Sequence, residues 1–178
     1  MYNFKNRIIG AAKLEISIYE EVESDEKAMG QAVGVVALSS VAAGIGSIIE
    51  GGIIGIFWGT VSAFLSWFIW AYLTYFIGTR FLPEPQTRSN PGELLRTIGF
   101  SSSPGLIRVL GIIPGLSAVI FFLASIWMLV AMVVAVRQAL DYRSTWRAVG
   151  VCLIGWIIQV LILTLLLSIL GGGQALAA

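Results

Sequence analysis

An apolar run from Gly51 to Gly78 is the feature that most constrains the fold of this chain. It is long enough to cross the roughly 30 Å hydrocarbon core of a bilayer as an α-helix. The membrane interior offers no water to backbone amides, so a spanning segment must be a helix or part of a closed barrel. Because this run is continuously apolar rather than alternating in polarity, it predicts a helix.

The composition indicates that most of the chain lies in a membrane. Hydrophobic residues make up 57% of the 178 residues, and charged residues only 12%. A soluble domain of this size could not bury that much apolar surface. The sequence has no histidine and one cysteine, Cys152. We therefore expect no catalytic residues, no metal site, no cofactor and no enzymatic activity.

Five apolar segments predict an all-α, polytopic bundle of five transmembrane helices. The predicted spans are residues 31–49, 53–78, 98–113, 116–136 and 149–170. Residues 1–30 predict a short amphipathic interfacial helix followed by an acidic collar at residues 20–27, and residues 171–178 form a short glycine-rich tail. Because the third span contains the Ser101–Gly105 stretch with Pro104, we expect it to be broken or unwound.

The distribution of basic residues favours an odd number of crossings. Five spans would put ten of the eleven basic residues on one side of the membrane. The positive-inside rule then places the N-terminus in the cytoplasm and the C-terminus outside. If the third segment dipped into the membrane and returned, Arg137, Arg143 and Arg147 would face the outside. We therefore predict five full crossings.

A stripe of small residues follows one side of the second span. Its members, Gly51, Gly55, Gly59 and Ala63, recur at four-residue spacing. In lipid, such a smooth face lets another helix approach closely. The partner helix could belong to this chain or to another one, and we expect an internal partner.

Arg108 is the one charged residue firmly within a predicted span, about five residues from its outer end. A charge at this depth either extends its side chain to the interface or meets a counter-charge or ligand. Glu50, at the outer end of the first span, is its best acidic partner. Exchanging the two charges should then restore what either single change loses.

Charged residues of opposite sign share the predicted cytoplasmic side. They could hold the N-terminal segment against the loop between the fourth and fifth spans, form a docking patch for a partner, or bind a divalent cation transiently. Exposed pairs of this kind contribute only about 0–1 kcal/mol each. The candidate docking residues are Glu20, Glu21, Glu23, Asp25, Arg137, Asp141, Arg143 and Arg147.

The order of these features resembles a known family. The resemblance rests on the Tyr19–Asp25 segment, Gln31–Ala32, and the stretches Thr97–Ser101, Arg108–Gly115 and Val136–Tyr142. Together with five hydrophobic segments, they resemble a bacterial-type integral membrane member of the Yip domain family, the Ypt-interacting proteins. The resemblance extends over about residues 5–170.

This resemblance implies a five-span protein with a cytoplasmic N-terminus, in a bacterial cytoplasmic membrane. Eukaryotic relatives associate with Rab-type GTPases and act in vesicle trafficking and membrane shaping. The sequence lacks the long N-terminal cytoplasmic region of those relatives, which argues against small-GTPase binding. Nucleic acid is not an expected partner either, because the basic residues are spread over separate loops.

Two functional hypotheses follow from the sequence. The first is a non-enzymatic scaffold or accessory subunit that packs with other membrane proteins or with itself, contacts membrane lipids and influences membrane organisation. The second is a small transporter, channel or lipid-handling permease that uses the broken third span around Ser101–Arg108, since discontinuous helices often line substrate sites.

Overall fold

The computed structural model describes residues 3–175, and within them the side chains of all residues but 49–51, 163 and 165–175. All regular secondary structure in this part of the chain is helical. The α-helices are α1 (Phe4–Ala12), α2 (Ile16–Ser24), α3 (Met29–Gly46), α4 (Ile48–Arg80), α5 (Pro91–Ser101), α6 (Ser117–Ala139) and α7 (Thr145–Ala175). Two 3-10 helices, Glu26–Ala28 and Ser103–Ile112, precede α3 and follow α5.

Four helices of the described chain are long and apolar enough to cross a membrane. They are Glu26–Gly46, Gly52–Arg80, Ser117–Ala139 and Thr145–Ile162. At 1.5 Å per residue, the 23 residues of α6 extend over about 35 Å, which exceeds the hydrocarbon core. These four helices correspond to the first, second, fourth and fifth predicted spans, so four apolar helices of membrane-spanning length are confirmed.

The chain bends sharply at Gly52, between α3 and the long part of α4. Gly52 has φ 61° and ψ −171°, a backbone conformation that glycine adopts without steric cost. A glycine pair such as Gly51–Gly52 is typical of a tight turn. Gly52 therefore reverses the chain, so that α4 returns beside α3.

The third predicted span, residues 98–113, does not form one α-helix. It consists of the end of α5, a break at Ser102 and the 3-10 helix Ser103–Ile112. Pro104 lies at the start of the 3-10 helix, where it lacks the N–H that would continue the α-helical hydrogen bonding. The predicted break is confirmed, whereas a fifth span of regular α-helix is not.

The start of α5 is set by a capping box. The Asn90 side chain accepts a hydrogen bond of 3.1 Å from the backbone N–H of Glu93, and the Glu93 carboxylate accepts one of 3.0 Å from the backbone N–H of Asn90. Pro91 occupies the first helical position, where its missing N–H carries no penalty. Thus α5 begins before the apolar stretch from which the third span was predicted.

The helix α5 and the 3-10 helix that follows it lie parallel to α3. A Cβ atom added to Gly99 would lie 2.8 Å from Cβ of Ala32, near the start of α3. A Cβ atom added to Gly111 would lie 3.0 Å from the carbonyl oxygen of Gly46, at the end of α3. The segment thus runs from the Met29 end of the bundle to its Gly46 end.

The N-terminal segment forms a helical hairpin rather than the single interfacial helix predicted. α1 and α2 are joined at Leu14, which has a positive φ of 64°. The hydroxyl of Tyr19 donates a hydrogen bond of 3.0 Å to the carbonyl of Ala11 across the hairpin. Apolar side chains from both helices pack against α3, α5 and α6, so the hairpin is part of the bundle.

A second buried cluster joins the remaining helices at the Met29 end. Leu140 and Tyr142 pack there with residues of α4, α5 and α7. The Tyr142 hydroxyl donates a hydrogen bond of 2.9 Å to the carbonyl of Gly78, near the end of α4. The bundle is therefore tightly packed at the end where α4, α6 and the N-terminal hairpin terminate.

Candidate functional site

The small-residue stripe on α4 faces two different environments. Gly55 and Gly59 are exposed, and no described atom lies within 4 Å of a Cβ built on either. Ala63 is half-buried and lines an internal cavity. Each four-residue step turns about 40° around the helix axis, so the stripe drifts from the outer surface toward the interior. Gly51 lies outside the residues whose side chains are described.

The expected internal partner of the stripe is therefore not found among the described residues. The close helix contact of α3 with α4 instead involves Gly44, whose added Cβ would lie 2.8 Å from Cγ1 of Ile56. Ile56 is half-buried, whereas its neighbours Gly55 and Phe57 are exposed. Four-residue spacing identified a smooth face but could not indicate which side of the helix meets the bundle.

Arg108 lies on the 3-10 helix at the Gly46 end of the bundle. Its Nη2 donates a hydrogen bond of 3.2 Å to the hydroxyl of Ser125, and its Cζ lies 5.5 Å from the centre of the Phe121 ring. Its Nε is buried without a hydrogen-bond partner among the described residues. The predicted partner, Glu50, lies outside the residues whose side chains are described, so that pairing stays a prediction.

Arg108 borders a cavity of about 230 Å³ in the middle of the bundle, hereafter the polar cavity. Polar side chains contribute to its wall from α3, α4, α7 and the segment between α5 and α6. They are Ser39, Ser40, Ser66, Ser102, Arg108 and Gln159. The sequence singled out Arg108 and the stretch that contains Ser102, and the fold brings both to one cavity with Gln159 of α7.

The polar cavity has donors with no partner in the part of the chain that is described. Trp70 lines it, and the indole Nε1 of Trp70 is buried without a hydrogen bond, like Nε of Arg108. Leaving a buried donor unpaired costs about 1–3 kcal/mol. By contrast, Nε1 of Trp67 donates to the carbonyl of Leu95 at 3.0 Å. Trp70 and Arg108 therefore each border the cavity and each carry a buried donor without a partner among the described residues.

A second polar group, which sequence reasoning missed, surrounds Arg7 in the N-terminal hairpin. Arg7 is 1% exposed and forms ion pairs with Glu21 at 2.9 Å and Asp25 at 2.7 Å. It also donates a hydrogen bond of 2.9 Å to the side-chain oxygen of Gln31 on α3. The hydrogen bond from Arg7 holds the pKa of Asp25 below its ordinary value.

The signal for this group was present in the helical wheel of residues 4–21. Arg7 interrupts the apolar side, which indicates a charge facing the bundle. Its partners Glu21 and Asp25 lie one turn apart, so they share a face of the chain. Only the reversal at Leu14, which the sequence did not predict, brings that face to Arg7.

Arg96 is buried on α5. Its Nε donates a hydrogen bond of 2.9 Å to the carbonyl of Val22, and its Nη2 donates to the carbonyl of Glu23. These carbonyls belong to the last turn of α2, where a positive charge is favourable. Arg96 therefore fixes the end of the hairpin to α5.

Glu23 has the most perturbed carboxylate of the acidic collar. Partial burial, as the largest cause, and the negative charges of Asp141, Glu93 and Glu20 together raise its pKa to about 7, against the opposing charge of Arg96. Glu23 is thus the carboxylate of this surface whose charge changes near neutral pH.

The three arginines of the candidate docking set have partners in the α4–α5 and α6–α7 loops. Nε of Arg147 lies 3.3 Å from the Glu84 carboxylate, and the Arg143 amide donates a hydrogen bond of 3.0 Å to Glu84. Arg137 donates to the carbonyl of Tyr142 at 3.3 Å. These bonds lower the pKa of Glu84, with the hydrogen bond from the Arg143 amide as the largest cause. They join the α4–α5 loop to the α6–α7 loop.

One polar contact does connect the collar to the end of α6. Nε2 of Gln138 donates a hydrogen bond of 3.1 Å to the carboxylate of Glu20. Asp141 interacts with Glu23 through repulsion rather than pairing. The N-terminal hairpin therefore lies beside the α6–α7 connection, and Gln138 makes this contact.

These features define an α-helical protein whose four long apolar helices fit an integral membrane protein. A family comparison gives the assignment: the Yip1 domain matches residues 19–167. The chain belongs to the Yip1 domain family, which confirms the resemblance at the level of the family. No curated protein and no solved structure matches the chain significantly.

Proposed function

We propose that this Yip1-family chain is a non-enzymatic integral membrane scaffold or accessory subunit of a bacterial cytoplasmic membrane. It associates laterally with a transmembrane helix of another protein or of a second copy. The observation that carries this proposal is the exposed face of α4 at Gly55 and Gly59, where no described atom lies within 4 Å of an added Cβ. A helix could approach the α4 backbone closely there.

We also propose that the chain crosses the membrane five times, with a cytoplasmic N-terminus. The 11 residues of α5 at 1.5 Å each and the 10 residues of the 3-10 helix at 2.0 Å each extend over about 36 Å. This length is sufficient to cross a core of roughly 30 Å. The parallel course of this segment beside α3 supports the same topology.

Cysteine crosslinking in native membranes tests the lateral association. In a Cys152→Ala background, Gly55→Cys and Gly59→Cys should each form crosslinked products with a short thiol-reactive crosslinker. Phe57→Cys is the matched control, because Phe57 is exposed at the same depth on another side of α4. Monomer alone at positions 55 and 59, or equal crosslinking at position 57, would contradict the proposal.

A second candidate function, transport or lipid handling, is supported by the polar cavity. Its test is the accessibility of Ser102, which lines the cavity, compared with Ser103, which is buried and bonded to the carbonyl of Phe100. In the Cys152→Ala background, an impermeant thiol reagent should label Ser102→Cys and leave Ser103→Cys unlabelled. Protection of both positions would favour a packed scaffold.

A further inference from the structure

The polar cavity adjoins an apolar groove between α6 and α7, hereafter the α6–α7 groove. The groove has a volume of about 600 Å³, and its lining includes Val130, Cys152 and Trp156. Trp70 and Met132 line both the groove and the polar cavity. A single ligand could therefore place a polar part in the cavity and an apolar part in the groove.

The chemistry of the polar cavity selects an acceptor of negative charge. Arg108 supplies the guanidinium, and Nε of Arg108 and Nε1 of Trp70 are buried donors without partners among the described residues. The described lining contains no acidic side chain. A cationic group would find nothing there to balance its positive charge, whereas a phosphate would balance the charge of Arg108 and accept charge-assisted hydrogen bonds from its guanidinium.

The relative positions of cavity and groove match one orientation of a lipid. On α7 the polar cavity reaches Gln159, whereas the groove extends back to Val149, close to the start of that helix. On α6 the cavity is lined by Met128, and the groove continues to Val133, toward the Met29 end. A lipid in this position would have its headgroup nearer the Gly46 end and its acyl chain directed toward the Met29 end.

We infer that the polar cavity and the α6–α7 groove together bind one anionic phospholipid. Its headgroup phosphate lies at Arg108 and Trp70, and an acyl chain lies along Val130 and Trp156. Arg108 lies only about 8 Å from the end of the 3-10 helix at 2.0 Å per residue, so the headgroup of a lipid from that leaflet can reach it. This inference rests on the proposed five crossings but not on the proposed lateral association.

Lipid titration of the purified full-length chain, read by native mass spectrometry, tests the inference. The probes are dioleoyl phosphatidylglycerol, dioleoyl phosphatidylcholine and inorganic phosphate. We expect one phosphatidylglycerol to bind per chain, more tightly than phosphatidylcholine, with no competition from inorganic phosphate. Equal binding of both lipids would contradict selection of an anionic headgroup. Competition by inorganic phosphate would show that the site binds a free anion rather than a lipid.

Two pairs of variants locate the binding. Arg108→Gln should weaken phosphatidylglycerol binding about tenfold or more, because it removes a charge-assisted hydrogen bond. Arg88→Gln is its control: it removes an exposed loop charge and should leave phosphatidylglycerol binding unchanged. Val130→Trp fills the groove and should also reduce binding. Val119→Trp is its control, because Val119 is exposed on the same helix but lines neither the cavity nor the groove.

The comparison of each variant with its control decides whether the lipid binds at this site. Equal binding by Arg108→Gln and Arg88→Gln, or by Val130→Trp and Val119→Trp, would overturn the inference. If Arg108→Gln loses its helical circular dichroism, the Val130 and Val119 pair decides alone. Loss of binding in Val130→Trp with lateral crosslinking at Gly55 intact would separate this site from the proposed scaffold function.

Discussion

At the scale of single residues, Arg7 connects three segments of the chain. From α1 it forms ion pairs with Glu21 and Asp25 at the end of α2, and it donates a hydrogen bond to Gln31 on α3. Taking a guanidinium out of water is costly, and this cost is offset only when all of its partners are in place. Arg7 therefore makes the fold of the hairpin and its attachment to the bundle depend on each other.

Replacing Arg7 should destabilise the protein more than replacing an exposed arginine. We expect Arg7→Met to lower the free energy of unfolding by roughly 2–3 kcal/mol, because it removes the buried positive charge that pairs with Glu21 and Asp25. The effect should lie below that of a fully buried pair, since Glu21 and Asp25 are 21% and 14% exposed. Denaturant unfolding in detergent micelles, followed by circular dichroism, measures it.

Arg88→Met is the matched control for this prediction. Arg88 is exposed in the α4–α5 loop, so its replacement should change the free energy of unfolding by no more than about 0.5 kcal/mol. Unfolding curves that coincide for the two variants would show that the Arg7 pairs contribute no net stability.

The raised pKa of Glu23 predicts that the stability of the folded protein depends on pH near neutrality. Its pKa is about 7 in the folded protein, against an ordinary value of 4.5, so between these values the folded state binds more protons than the unfolded state. Stability should therefore fall as the pH rises from about 4.5 to 7 and should not change further above that range through this residue. The melting temperature of the wild type, measured between pH 5 and 8, should show this fall.

Glu23→Gln should remove this contribution, because glutamine stays neutral throughout. Its melting temperature should exceed that of the wild type at pH 8 and approach it at pH 5. Glu26→Gln is the control, since Glu26 is an exposed acid of the same collar. A constant difference between Glu23→Gln and the wild type across this pH range would contradict the assignment of the perturbed carboxylate to Glu23.

At the scale of elements, close contacts at glycine position the segment formed by α5 and the 3-10 helix. A Cβ atom on Gly99 would lie 2.8 Å from Cβ of Ala32 and 3.3 Å from its Cα and carbonyl oxygen. Because two of these neighbours are backbone atoms, a side-chain rotation cannot relieve the contact. Only a shift of α3 relative to α5 can do so.

Gly99→Ala should therefore be destabilising despite the better helix propensity of alanine. We expect it to be less stable than Gly30→Ala by about 1–3 kcal/mol, the usual cost of overpacking. Gly30 is a suitable control because it lies on α3 and no described atom is within 4 Å of its added Cβ. Thermal unfolding of both variants in the same detergent compares them, and equal stabilities would contradict close packing at Gly99.

The elements differ in how far the sequence could predict them. α4 and α6 were predictable because length and continuous apolarity alone determine a membrane-crossing helix. The 3-10 helix Ser103–Ile112 was predicted only as a break, since its course depends on contacts with α3 and α6. The polar cavity was predictable only in part, because Ser39 and Trp70 join Arg108 through tertiary packing.

At the scale of the whole molecule, the direction of each helix is set by its contacts. α3 and the segment Pro91–Ile112 run from the Met29 end to the Gly46 end, and α4 and α6 run the opposite way. α7 begins beside the α4–α5 loop, where Nη1 of Arg147 donates a hydrogen bond of 2.8 Å to the carbonyl of Pro83. This alternation is what five consecutive crossings require.

The location of two turns distinguishes five crossings from four. If Pro91–Ile112 crosses the membrane, the turn before α6 lies on the side opposite the α4–α5 loop. In a Cys152→Ala background, an impermeant maleimide should label Leu116→Cys from outside intact cells and Arg88→Cys only in inverted vesicles, since both positions are exposed. Reporter domains fused to the two chain termini should then lie in opposite compartments.

If Leu116→Cys and Arg88→Cys are labelled from the same side, the segment Pro91–Ile112 enters and leaves the membrane by one face. The bundle then has four crossings, and the headgroup end of the polar cavity cannot open to the opposite leaflet.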